Sequence, residues 1–332
     1  MALAGQLAEI GVMLLMFGVG LHFSLDDLLA VRRIAVPGAV VQIAVATALG
    51  AITAIGWGWP IGEAVVFGLA LSVASTAALL RALEARGILE ATNGRSAGGW
   101  LVVEDRAMVL VLVLLPALAP LLGARDAGPT ADMQALALTV GLTLAKVSAF
   151  IALMLVVGRR AFPRLLWLVA RTGSRELFTL CVISAAVGVA YASALLFDVS
   201  FALGAFFAGM MMRESEFSHR AAEDSLPLRD AFSVLFFVSV GMLFDPTVLV
   251  ESPVKVAVVV AIILVGKTLA AIALVLAFRY PLNTALTVGA SLAQIGEFSF
   301  ILAGLGLSLG LLSLEGQNLI LAGALISIAL NA

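Results

Sequence analysis

A chain of 332 residues in which 62% are hydrophobic and only 12% are charged carries too little polar surface for a water-soluble domain, where about a quarter of residues are charged. Its formal net charge of −2 points to no partner, because in a membrane the position of each charge matters more than the sum, and no nucleic acid is expected to bind. The lone cysteine, Cys181, sits in an apolar run and excludes both an internal disulfide framework and a thiolate metal site; His22 and His219, at separate helix ends, suggest no ligand pair.

In chain order, apolar stretches of about 17 to 25 residues bounded by charge, Gly or Pro predict spans over 6–23, 34–56, 63–83, 98–122 and 134–157. Six more follow at 175–196, 199–213, 229–244, 253–278, 283–311 and 316–332, the seventh and eighth of the series being short. The expected fold is therefore an all-α polytopic membrane protein, a single transmembrane transport domain over 1–332 with about 11 helices. Residues 1–7 lack a basic n-region, so the first apolar segment is expected to stay in the membrane. The stretch 213–230, with Phe217, Ala221, Ala222 and Leu226 on roughly one face, reads either as an interfacial helix or as a charged linker.

Basic residues favour cytoplasmic loops, and one orientation places 14 of the 19 Lys and Arg residues on that side, leaving only Arg125 and Lys255 opposite. The expectation is an N-terminus outside and a C-terminus in the cytoplasm.

Six ionisable residues fall inside predicted spans: Glu104, Asp105, Arg106, Lys146, Lys267 and Glu297. Each costs on the order of 2.5 to 3.5 kcal/mol at mid-bilayer, so such residues usually line a pathway. Glu104 and Asp105 are adjacent and point about 100° apart on a helix, so at least one should face the interior or a water-filled cavity. Two carboxylates in a low dielectric cannot both ionise cheaply, so a proton and a metal cation can compete for the same oxygens. Hard oxygen ligands suit alkali ions. The competing reading is that the pair snorkels to the cytoplasmic surface or is neutralised by Arg106. Lys267, mid-span, is either a countercharge to the carboxylates or a packing ion-pair partner, and the amine of Lys146 is expected to hydrogen-bond a neighbour.

Two spans carry small and polar residues at their middles: Leu71-Ser72-Val73-Ala74-Ser75-Thr76-Ala77, and Gly289-Ala290-Ser291-Leu292-Ala293-Gln294-Ile295-Gly296-Glu297-Phe298. Such segments either allow close helix packing or break the helix, and paired breaks in corresponding parts of two halves point to a transporter's ion site.

These residues, together with Leu83-Glu84-Ala85-Arg86-Gly87, Val102-Val103-Glu104-Asp105 and the run from Leu7 to Gly20 followed by Leu28 and Leu29, resemble the Kef-type potassium/proton antiporters of the monovalent cation:proton antiporter-2 family. The resemblance implies the sodium/proton exchanger fold, with inverted repeats and two crossed discontinuous helices. It also implies a homodimer with elevator-like alternating access in the bacterial cytoplasmic membrane. By that resemblance Asp105 binds cation or proton, Glu104 stands beside it, Ser75 and Thr76 sit at the first crossing, Gln294 and Glu297 at or near the second, and Lys267 is the countercharge. The glutamate at 104, where other members often carry Asp, Asn or Gln, and Arg106 beside the pair are departures. Two further N-terminal helices and a cytoplasmic nucleotide-binding regulatory domain, usual in the family, are not found in this sequence, which reads as its membrane part alone.

The function expected is exchange of K+ or Na+ for protons, the ions being cargo and no resident cofactor being expected. A ligand-gated potassium efflux channel is the alternative. A sodium-coupled symporter for an organic anion would need a cationic cluster, and an intramembrane enzyme would need a metal cluster or a nucleophile with its base; neither constellation is visible.

Overall fold

A computed structural model describes residues 2–22, 35–75, 79, 92–123, 133–213 and 215–331, and among them every regular element is helical. In chain order they are α1 (Ala2–His22), α2 (Ala35–Gly56), α3 (Ile61–Ser72), α4 (Thr92–Leu118), α5 (Met133–Leu153), α6 (Arg159–Ala170), α7 (Arg175–Phe197) and α8 (Phe201–Arg213). Then come α9 (Ser218–Leu243), α10 (Val248–Glu251), α11 (Pro253–Ala261), α12 (Lys267–Ala277), α13 (Leu282–Ser291), α14 (Glu297–Ser308) and α15 (Leu314–Asn331). The stretches Val36–Gly56, Val140–Ala170, Arg175–Phe197, Pro253–Ala277 and Leu314–Asn331 are each long and apolar enough to cross a bilayer. α3, α8 and α14 are apolar but shorter.

The helices sort into two compact units. One holds α1 and α5 to α9; the other holds α2 to α4 and α10 to α15. In the first unit, α1 packs on α8 and α9 through small residues: a Cβ at Gly20 would lie 2.1 Å from the Phe206 carbonyl oxygen, and one at Gly209 2.2 Å from that of Phe17. Lipid is as apolar as leucine, so this backbone-to-backbone approach supplies the dispersion contact that holds the helices together. Around it, Phe150, Phe206 and Phe207 stack edge to face.

The second unit contains two sets of three spans, each with its middle span broken. In the first set α2 and α4 flank the helix that ends at α3; in the second, α11–α12 and α15 flank α13 and α14. α2 packs on α3 at Gly68, where a Cβ would sit 2.2 Å from the Thr47 carbonyl oxygen.

Three departures from the sequence-based expectation have local causes. The stretch 213–230 does not form a separate interfacial helix: α9 runs unbroken from Ser218 to Leu243 with Pro227 inside it. Its polar first turns are held within the unit, where Asp224 takes the guanidinium groups of Arg175 and Arg220, Arg220 lies over the Phe178 ring at 4.6 Å, and Ala221 is buried. The span expected at 134–157 continues through a π-turn, Met154–Gly158, into α6. A second π-turn, Ile262–Gly266, interrupts the span at 253–278 immediately before Lys267. Each π-turn inserts one extra residue and rotates everything after it, which apolar periodicity does not report.

Gly68→Val is expected to lower the melting temperature of the detergent-solubilised protein by several degrees, about 1 to 3 kcal/mol of overpacking. Gly188→Ala, where a Cβ meets nothing within 4 Å, is expected to be neutral or slightly stabilising.

Candidate functional site

The first break follows from what the second unit offers to freed backbone groups. α3 ends at Ser72, and Val73 is extended at φ −93°, ψ 130°. In hydrocarbon, unpaired carbonyl and N–H groups would cost several kcal/mol each, so a break persists only where the protein satisfies them. Gln42, fully buried on α2, donates from Nε2 to the Ser72 carbonyl at 3.2 Å. The Ala74 N–H donates to Glu104 Oε2 at 3.0 Å. The Ser75 carbonyl accepts from the Leu79 N–H at 3.2 Å.

The second break is held the same way. α13 ends at Ser291 and α14 begins at Glu297. Lys267 donates from Nζ to the Gln294 carbonyl at 3.0 Å, Thr268 from Oγ1 to the Gly289 carbonyl at 3.3 Å, and Asn331 from Nδ2 to the Ala290 carbonyl at 3.1 Å. The two breaks touch: a Cβ at Gly296 would fall 2.5 Å from Ser75 Cα, so only glycine allows the crossing. The Ser75 side chain of the first break lies beside the Glu297 carboxylate of the second.

Charge is concentrated around this crossing. Glu104 and Lys267 are both 0% exposed, and they attract one another through space without a direct ion pair. The Trp100 indole N–H also lies beside the Glu104 carboxylate without forming a hydrogen bond. Glu104 is thus anchored to the backbone of the first break and Lys267 to that of the second. Buried at low dielectric, each makes the other affordable. Glu104 Oε1, Gln42 Oε1 and Ser299 Oγ are buried with no hydrogen-bond partner among the described residues, leaving lone pairs available to a ligand. Asp105 is half-buried with its Oδ1 enclosed, Arg106 is likewise half-buried, and Glu297 keeps partial exposure.

Of the residues predicted for the site, the structure brings Ser75, Glu104, Gln294, Glu297 and Lys267 into one hydrogen-bonded and electrostatic network around the crossing. Asp105 adjoins it on α4, and Thr76 lies outside the described residues. Gln294 acts through its backbone carbonyl rather than its amide. Lys146 stands apart in the other unit, where it pairs with Asp198 at an exposed position. Gln42, Trp100 and Asn331 were missed. Gln42 had a visible signal, an amide in the middle of the run Ala39-Val40-Val41-Gln42-Ile43-Ala44, but it stands alone there with no cluster of small polar residues around it. The carbonyls that Lys267 and Asn331 satisfy have no sequence signature.

The chain matches the family model for the transmembrane domain of sodium/hydrogen exchangers over residues 5–331. It is 60% identical over 332 residues to the putative cation/proton antiporter YbaL of Escherichia coli strain K12, covering 99% of this chain and 58% of that one. It is 34% identical to K(+) efflux antiporter 4 of Arabidopsis thaliana, over 89% of this chain and 48% of the relative. The chain thus spans about half the length of these relatives. Among solved structures, the sodium proton antiporter MjNhaP1 from Methanocaldococcus jannaschii superposes with a TM-score of 0.63 over 97% of this chain and 82% of the other, at 13% identity, a likeness of fold. A family match over nearly the whole chain, on a fold with two broken spans meeting at buried charges, places this protein in the sodium/hydrogen exchanger family.

Proposed function

We propose that this chain is the membrane part of a monovalent cation/proton antiporter, exchanging K+ or Na+ for protons by alternating access at the crossing of the two breaks. The observation that carries the reading is the joint anchoring of Glu104 to the first break through the Ala74 N–H and of Lys267 to the second through the Gln294 carbonyl. Two interrupted helices with opposite buried charges provide what exchange requires: oxygen ligands for a dehydrated cation and a countercharge for the site when empty. The names of the relatives, a putative cation/proton antiporter and a K(+) efflux antiporter, support antiport over the channel alternative.

In this reading Asp105 is the carboxylate that cation and proton share, and Glu104 beside it holds the first break through Oε2 while its Oε1 faces the site. Glu104 positions the first break and sets the local field. Ser75, Glu297 and the Gln294 carbonyl offer further oxygen ligands at the crossing, Thr76 is proposed beside them, and Lys267 balances the empty site. The cation and proton are cargo, and we propose no resident cofactor. We further propose a homodimer in the bacterial cytoplasmic membrane, multi-pass, with the N-terminus outside and the C-terminus cytoplasmic. The arginine-rich loops support that orientation.

In proteoliposomes, Asp105→Asn is expected to lower proton movement driven by K+ or Na+ pulses by more than about tenfold, to background. A variant that exchanges as fast as the parent removes Asp105 from the mechanism. Lys267→Met leaves a buried carboxylate uncompensated and the Gln294 carbonyl unpaired, and is expected to cost about 3 kcal/mol of stability in a thermal melt. The double variant Glu104→Gln, Lys267→Met is expected to recover much of that loss, because neither charge then remains.

A further inference from the structure

We propose that the face of α6 away from its own unit binds the phosphate groups of anionic phospholipids. The helix begins where the apolar surface of α5 stops. Leu155 and Val156 are 48% and 56% exposed, and after the π-turn the chain turns abruptly basic at Arg159 and Arg160. Arg160 donates from Nη1 to the Val156 carbonyl at 2.9 Å, tying the second arginine back to the apolar turn before it. At 100° per residue, Arg160, Arg164, Trp167 and Arg171 fall within an arc of about 60°. Phe162 and Leu166, on the opposite side, are buried against the unit.

Between these faces runs a third stripe. Leu165 and Leu168 are 40% and 61% exposed, continuing the uncovered apolar surface of α5 directly beside the arginines. Trp167 is half exposed, with the Arg171 guanidinium 4.6 Å over its ring. Arg160, Arg164 and Arg171 form no ion pair among the described residues, whereas Arg175, just beyond, is taken by Asp224. A solvated charged face does not need exposed leucines at its edge, and a second copy of the same stripe would be repelled by like charge. Guanidinium forks beside an apolar strip and an indole match a phosphate ester carrying acyl chains: phosphate oxygens take the bidentate donors, and the leucines and Trp167 enter the acyl boundary. A free phosphate satisfies only the first of these requirements.

The test uses the full chain reconstituted in phosphatidylcholine vesicles with or without phosphatidylglycerol, with bromine on the acyl chains of one lipid at a time. The Trp167 signal is the parent fluorescence minus that of Trp167→Phe. Brominated phosphatidylglycerol is expected to quench Trp167 well beyond its share of the lipid, by about tenfold over brominated phosphatidylcholine, and the triple substitution R160Q/R164Q/R171Q is expected to abolish the preference. All three arginines are exposed, so the triple variant is expected to melt with the parent. Equal quenching by the two lipids, or a preference that survives the triple substitution, overturns the proposal. So does the absence of quenching by either, which would mean that protein or water covers the face.

Discussion

A transmembrane helix can be interrupted only where protein groups or enclosed water, rather than lipid, take over the hydrogen bonds it gives up. In the second unit this constraint fixes most of what surrounds the crossing. Gln42 and Glu104 serve the first break; Lys267, Thr268 and Asn331 serve the second. The same groups that make the breaks possible also charge them. Glu104 accepts a backbone N–H and is left with a second oxygen, while Lys267 donates to a backbone carbonyl and remains a buried cation. Structure and chemistry are therefore one arrangement. The local dielectric that makes an ion pair expensive to bury also makes ligand competition at a carboxylate strong.

The π-turn before Lys267 belongs to this arrangement. An α-helix that kept its register through Ile262–Gly266 would direct residue 267 about one position further round the helix, away from the second break. Gly296 plays the corresponding part in the backbone, since its missing side chain sets how closely the two breaks approach. Neither feature carries charge, yet both determine where charge sits. A π-turn also stands directly before the arginines of α6, at Met154–Gly158, and sets the direction in which they leave the helix.

Much of this was legible in the sequence because the bilayer imposes strong rules. Long apolar runs located the spans, the small polar clusters at 71–77 and 289–298 located both interruptions, and the rarity of intramembrane charge singled out Glu104, Asp105, Lys267 and Glu297. The illegible part was geometric. Periodicity could not reveal that α9 absorbs the stretch expected to lie on the surface, because that depends on Asp224 finding Arg175 about fifty residues away. Nor could it separate Gln294 acting through its carbonyl from Gln294 acting through its amide, or give Gln42 its partner. A neutral side chain on an apolar helix discloses its role only when the group it satisfies is visible.

The central claim is that a proton and an alkali cation compete for the same buried oxygens at this crossing, and equilibrium binding of a radioactive K+ or Na+ analogue to the purified protein at a series of pH values tests it most directly. Competition at a single carboxylate predicts that, on its acid side, the apparent dissociation constant rises about tenfold for each unit fall in pH and levels off on the alkaline side. An affinity that stays constant across the range would contradict the account, since a cation that displaces no proton cannot be exchanged for one.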